Sequence, residues 1–188
     1  MIETSKGPAR FLEFPAKKPR ATLVLGHGAG GGGLAPDLAA IAEALPAHGV
    51  SVLLHEQPWK VAGKKVATAP PVLDVGWVES LATLTPRGRL IVGGRSAGAR
   101  VACRTAAEVG ADAVLALAFP LHPPGKPDKT RADELAVAVP LRIVQGQRDP
   151  FGRPEEFPVG LDLVAVPGDH SLRQGLDEVV AAVVAFCA

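Results

Sequence analysis

The chain is short of several things that would point it elsewhere. Its charge is nearly balanced, 20 Lys and Arg against 19 Asp and Glu, a formal net charge of +1. Such a balance offers no electrostatic footprint for nucleic acid or for an anionic membrane surface. Only two cysteines are present, Cys103 and Cys187. Two thiols do not make a disulfide framework, and neither stands in a metal-type pair. No apolar run reaches the ~18 residues of a membrane span. The opening residues, Met1 to Pro8, carry no apolar stretch of a secretory signal. No Gly-Lys-Ser/Thr follows a glycine-rich loop, which excludes a P-loop. No internal repeat or long linker divides the chain. These absences lead to the expectation of a soluble, cytoplasmic protein with no metal, no organic cofactor, no nucleic-acid partner and no membrane association.

What is there is ordinary globular material: 188 residues, 47% hydrophobic and 21% charged. That length suits one domain over residues 1–188 with a sizeable core. The 21 glycines and 18 prolines fall at element ends, as turn punctuation.

Apolar runs alternate with helical patterns along the chain. Arg10–Phe14 reads as a short edge strand. Ala21–Leu25 reads as a strand buried on both faces. It empties into the glycine-rich stretch Gly26–Gly33. A helix follows from Pro36, with Leu38, Ile41, Ala42 and Leu45 inward. Val50–Leu54 is the next strand, followed by a loop over 56–70 carrying Trp59, Lys60, Lys64 and Lys65. Val72–Leu84 is expected to be a helix with Val75, Val78, Leu81 and Ala82 inward. The strand Leu90–Gly93 runs through a sharp turn into a helix, Ala97–Val109, on which Cys103 reads as a core residue. Strands Ala113–Ala118, Leu141–Val144 and Leu161–Val166 follow, with a short helix over Lys129–Ala138 and a closing helix over Leu172–Phe186. Parallel neighbours need a crossover helix. The expectation is therefore an α/β fold: a mostly parallel, doubly wound sheet of about six core strands, helices on both faces.

In such sheets, sites form outside the carboxyl ends of the strands. Four strand ends carry unusual sequence. One is Gly94-Arg95-Ser96-Ala97-Gly98, the spacing of a nucleophile elbow. A serine there needs a base within hydrogen-bond reach. His170, after the last strand, supplies one. The imidazole in turn needs a carboxylate to hold its tautomer. Asp149, after the preceding strand, fits, with Asp169 as the alternative. The order Ser96, Asp149, His170 is the one expected for this type of hydrolase. Backbone donors for an oxyanion are expected from Ala97 and from Ala29 or Gly30. His27, Phe119, His122 and Trp59 are candidates for the substrate pocket, and Arg95 and Arg100 are each expected to have a carboxylate partner. Gly26-His27-Gly28-Ala29-Gly30-Gly31 also fits a dinucleotide fingerprint, with Glu56 beyond the next strand. Against that reading, Gly32 to Ala35 separate the glycines from the helix that a pyrophosphate would need. A non-catalytic interaction module is the other alternative, since fold does not prove function.

Taken together, Gly26–Gly30, Gly93–Arg100, Phe119–Pro127 and Asp149–Gly152 resemble the α/β-hydrolase superfamily. The similarity extends over residues 20–188. It is to a small lidless branch near the dienelactone hydrolases, which includes a testis-expressed protein and a subunit of a non-specific-lethal histone acetyltransferase complex. The resemblance implies an α/β-hydrolase fold, a triad on Ser96, Asp149 and His170, and esterase-like chemistry on a carboxylic ester, thioester or amide. The N-terminal edge strands look shortened, and 120–139 leaves no room for a large cap domain.

Overall fold

The computed structural model describes residues 1–30 and 34–188. Its centre is an eight-stranded sheet in the order β1-β2-β4-β3-β5-β6-β7-β8. The strands are β1 (Ile2–Thr4), β2 (Gly7–Phe14), β3 (Ala21–Gly26), β4 (Val50–Glu56), β5 (Arg89–Arg95), β6 (Ala113–Leu117), β7 (Leu141–Gly146) and β8 (Asp162–Val166). From β4 through β3 to β8 every pairing is parallel, while β2 is antiparallel to β4 and to β1. The helices are α1 (Pro36–Ala44), α2 (Pro58–Val61), α3 (Pro70–Leu81), α4 (Ala97–Thr105) and α5 (Leu176–Cys187).

The period-2 geometry of a strand sends neighbouring side chains to opposite faces. Leu23, Leu25, Leu115 and Leu117 therefore pack with Leu38 and Ile41 of α1 and Val179 and Val183 of α5. Val24, Val92, Val114 and Ala116 pack on the other face with Leu73 and Trp77 of α3 and Val101 and Ala102 of α4. Helices on both faces leave the carboxyl ends of the parallel strands as the open rim. Among the described residues no large cap domain stands over that rim. Among the described residues no helix is long and apolar enough to cross a membrane.

The structure departs from the expected elements in several places. The strand expected at Arg10–Phe14 is not an edge. It starts at Gly7, and β1 pairs along its outer side, so the N-terminal part of the sheet is present. In α3 the inward face is Leu73, Gly76, Trp77, Ser80 and Leu81. Val75 and Ala82 point to solvent instead. The indole of Trp77, fully buried, fixes that rotation. The loop over 56–70 contains α2, which buries Trp59. The expected helix over 129–138 shrinks to a 3₁₀ turn at Ala132–Leu135. Only Leu135 is buried there, so no apolar stripe holds further turns. The closing helix starts at Leu176, because Gly175 at φ 138° interrupts it. Leu172 instead sits fully buried in the preceding loop.

Candidate active site

The turn between β5 and α4 is built from steric necessity. Ser96 has φ 55° and ψ −112°, a region that costs a non-glycine residue on the order of 1–3 kcal/mol. The flanking glycines explain how so tight a turn closes. A Cβ at Gly94 would lie 2.4 Å from the Gly26 carbonyl oxygen, and one at Gly98 would lie 2.3 Å from it. The elbow thus rests directly on the end of β3. The Ser96 N–H donates to the Leu117 carbonyl at 3.0 Å, and the Arg100 N–H to the Ser96 carbonyl at 3.2 Å. These bonds hold the strained residue between β6 and the first turn of α4.

Three sequence-predicted side chains meet in one hydrogen-bonded line. Ser96 Oγ is 2.8 Å from His170 Nε2. His170 Nδ1 is 2.7 Å from Asp149 Oδ2. A carboxylate only accepts, so Nδ1 carries the proton and Nε2 is free to accept from the serine hydroxyl. Asp149 is fully buried. Its Oδ1 accepts the Phe151 N–H at 2.8 Å and its Oδ2 the Gln145 amide at 2.9 Å. Gln145 is also fully buried and donates to the Gly152 carbonyl at 2.8 Å, closing the turn that carries the acid. The Phe151 ring lies against the His170 ring, centroids 4.2 Å apart.

The two loops bearing the acid and the imidazole are bound to each other. The Arg148 N–H donates to the Gly168 carbonyl at 2.9 Å. A Cβ at Gly146 would lie 2.6 Å from the Asp169 carbonyl oxygen. Asp169 itself does not reach the imidazole line. Its Oδ1 accepts the Ser171 N–H at 2.9 Å and the Ser171 hydroxyl at 2.6 Å, and these bonds lower its pKa. The carboxylate that holds His170 is therefore Asp149.

Ala29 and Ala97 line one narrow cavity, together with His27, Trp59, Trp77 and Val101. Gly30 is exposed and stands outside that lining. Gly31, Gly32 and Gly33 of the glycine-rich stretch lie outside the described residues. His27 is buried, and burial lowers its pKa. Its Nε2 accepts the Gln57 N–H at 3.2 Å, and its Nδ1 donates to the Gly28 carbonyl at 2.9 Å. The ring is thus a neutral, fixed wall, with Trp59 packed edge-on at 5.3 Å between centroids.

Two of the expected pocket residues do not line that cavity. Phe119 is fully buried in the core against Phe157. His122 is buried, bonded to the Pro123 carbonyl and to Glu156 Oε2, each at 2.9 Å. Both nitrogens are engaged, so His122 fastens the segment after β6 to the turn after Asp149 rather than lining the cavity. Lys64 borders a neighbouring cavity, and Lys60 and Lys65 line neither.

The arginines that flank the elbow each meet a carboxylate. Arg95 Nε is 3.6 Å from Asp37 Oδ2, and Arg100 forms a two-point pair with Glu134 at 2.8 and 2.5 Å. The dinucleotide fingerprint loses its footing here. α1 starts only at Pro36, Gly28 packs against Arg95 and Ser96, and Glu56 is paired with Arg10. Among the described residues, no three His, Cys, Asp or Glu side chains gather as metal ligands.

Sequence reasoning missed Gln145, Phe151 and Asp37. Gln145 is one step from a strand end and carried no pattern of its own. In the sequence Asp37 shows only as an acid suited to a helix first turn, a role any exposed Asp can fill. Only its burial reveals the pairing with Arg95.

Known structures share this architecture. An alpha-beta serine hydrolase homologue from Coxiella burnetii matches 100% of this chain and 95% of its own, at 18% identity and a TM-score of 0.78. A serine hydrolase without a lid from Xanthomonas campestris matches 99% of this chain and 93% of its own, at 18% identity and 0.73. A dienelactone hydrolase from Anabaena variabilis matches 98% and 93%, at 18% identity and 0.74. At these identities the likeness is one of fold. No curated protein sequence matches significantly. The model of the alpha/beta hydrolase domain family matches residues 19–175, and the chain belongs to that family.

Proposed function

We propose that the protein is a serine hydrolase that cleaves a carboxylic ester, or a thioester or amide, through an acyl-enzyme. One observation carries the reading: the line from Ser96 Oγ through His170 to Asp149, with bonds of 2.8 and 2.7 Å. Ser96 Oγ attacks the acyl carbon as its proton passes to His170 Nε2. The carbonyl electrons move onto oxygen, where the backbone N–H groups of Ala97 and of Ala29 or Gly30 stabilise the charge. The bond to the leaving group then breaks, and His170 returns its proton to the leaving atom. A water repeats the sequence, giving its proton to His170, and Ser96 is released with the acid. Asp149 stays ionised and holds the imidazolium.

The family match and the lidless architecture support hydrolytic chemistry on a small acyl substrate reached from an open rim. Both cysteines are free and buried, with thiol pKa values pushed up to about 12 by burial. Such inert thiols suit a reducing compartment, and we assign the activity to the cytoplasm, carried by residues 1–188 acting as one unit.

A fluorophosphonate probe is expected to label the wild-type protein and not Ser96→Ala. Hydrolysis of p-nitrophenyl acetate should fall to the level of buffer in the same variant. Equal rates for wild type and Ser96→Ala, both folded, would make the fold a non-catalytic interaction module.

A further inference from the structure

One residue touches both the acid and the base behind Ser96. The Phe151 N–H donates to Asp149 Oδ1 at 2.8 Å. Its ring lies on the His170 imidazole, with centroids 4.2 Å apart and planes inclined by 30°. Among the described residues no other aromatic ring packs on His170. The core does not explain where that ring sits. Phe151 is half-buried and takes part in neither hydrophobic layer of the sheet. A lone, partly exposed phenylalanine is ordinary on a protein surface. This one is set apart by the imidazole it covers.

The backbone that carries the ring is fixed on both sides. The Phe151 carbonyl accepts the His122 N–H at 3.0 Å, and His122 is itself fastened to the Pro123 carbonyl and to Glu156. The Gly152 N–H donates to the Asp149 carbonyl at 3.2 Å. Gly152 has φ 139°, and a Cβ there would lie 2.7 Å from Leu121 Cβ. The turn over 149–152 therefore presses directly on the segment after β6. It presents the carboxylate and the phenyl ring to His170 as one unit.

The imidazole has need of such a support. Its two hydrogen bonds, 2.7 Å to Asp149 and 2.8 Å to Ser96, stand at opposite corners of the ring. They resist sliding in the ring plane and only weakly resist tilting about the line between them. The bond to Ser96 is also the one that is broken and remade as the proton moves. During that interval Asp149 and the contact on the ring face do the holding. The face of a benzene ring also attracts the imidazolium that forms.

We propose that Phe151 is a positioning residue whose ring keeps the His170 imidazole in the plane joining Ser96 Oγ to Asp149 while the proton is transferred. This rests on the reading of Ser96 as the nucleophile. Phe151 acts through His170, so its loss slows the chemical steps and leaves substrate binding alone. Acylation and deacylation both use His170, and a defect shared by the two lowers kcat with little change in KM.

The test compares the full chain as wild type, Phe151→Ala, Phe151→Leu and Phe151→Tyr on p-nitrophenyl acetate, with proton NMR of the His170 Nδ1–H. That proton is identified by the loss of its downfield resonance in His170→Gln. Phe151→Ala is expected to lower kcat by about tenfold or more, with KM within about twofold. Its Nδ1 resonance should broaden or vanish. Phe151→Leu keeps apolar bulk without a flat face and should fall between, while Phe151→Tyr restores both kcat and the resonance. Circular dichroism establishes that each variant is folded; should Phe151→Ala not fold, Phe151→Leu against Phe151→Tyr decides. A kcat unchanged in the folded variants, a raised KM with kcat kept, or a lowered kcat with the resonance intact each overturns the proposal. Wild type no faster than Ser96→Ala would instead overturn the assignment of the nucleophile, and the resonance would still decide whether the ring holds His170.

Discussion

Arg95 and Asp37 face each other at 3.6 Å beside the elbow, the carboxylate fully buried and the guanidinium partly so. The pair ties the residue before Ser96 to the first turn of α1. Burial raises the pKa of Asp37 more than the neighbouring Arg95 lowers it. Breaking a buried pair from one side costs roughly 3–5 kcal/mol, because the other charge is left uncompensated. Arg95→Leu is therefore expected to lower the melting temperature by roughly 6–20 °C, at ~2–4 °C per kcal/mol for a chain of this size. Arg95→Leu combined with Asp37→Leu should recover most of the loss. Thermal unfolding of the two single variants and the double variant measures this coupling.

Asp149 and Asp169 should separate cleanly. Asp149→Asn replaces the carboxylate that orients His170 and is expected to reduce kcat on p-nitrophenyl acetate by about 10⁴. Asp169→Asn changes a carboxylate bonded only to Ser171 among the described residues, and kcat should stay within about twofold. Steady-state kinetics of both variants checks the pair. Asp169→Asn as the more damaging change would reassign the orienting acid.

Gly98→Ala puts a methyl where the Gly26 carbonyl oxygen lies, 2.3 Å from the new Cβ. Backbone must shift, either at the end of β3 or at the elbow. Overpacking of this kind costs about 1–3 kcal/mol. The shift also moves Ser96 relative to His170, and a misplacement of ~1 Å can cost about 10²-fold in rate. Fluorophosphonate labelling rates should fall even in protein that remains folded. Labelling at the wild-type rate with an unchanged melting temperature would contradict the packing.

The His122–Glu156 pair gives stability a defined pH dependence. The pKa of His122 is raised from its ordinary 6.5, chiefly by the bond to the Pro123 carbonyl and then by Glu156. That of Glu156 is lowered to about 2, chiefly by the Arg153 backbone N–H and then by His122. A raised histidine stabilises the fold fully below its unfolded pKa, and the contribution disappears as pH rises through the folded value. The Glu156 contribution is present above its unfolded pKa and disappears as pH falls toward about 2. The difference in melting temperature between wild type and His122→Gln should thus be larger near pH ~5.5 than near pH ~8.5. Equal differences at the two values would remove the charge from the account.

Much of this molecule is legible in its sequence because the signals are local. Val24 and Leu25 run apolar on both faces, which requires helices above and below the strand. The glycines at 94 and 98 announce a turn too crowded for a Cβ, and the crowding is found against Gly26. The order of Ser96, Asp149 and His170 follows from parallel strands that deliver their carboxyl ends to one rim. Where the expectation failed, the deciding contact was remote. The face of α3 turned on where one indole could be buried, which apolar count alone does not tell. β1 is too short and polar to announce itself, and it exists because β2 offers it an edge.

What the sequence by itself determined is the fold class and the order in which Ser96, Asp149 and His170 reach one rim, since strand periodicity, glycine spacing and chain order are properties of the chain. What only the tertiary structure decided is how those residues are held and what surrounds them. Asp149 over Asp169 beside His170, the buried pairing of Arg95 with Asp37, the bond of His122 to Glu156 and the packing of Phe119 on Phe157 all depend on distances between segments far apart in the chain. Such distances are set by packing of the whole core, where each side chain's burial fixes which charges must pair and which cavities remain.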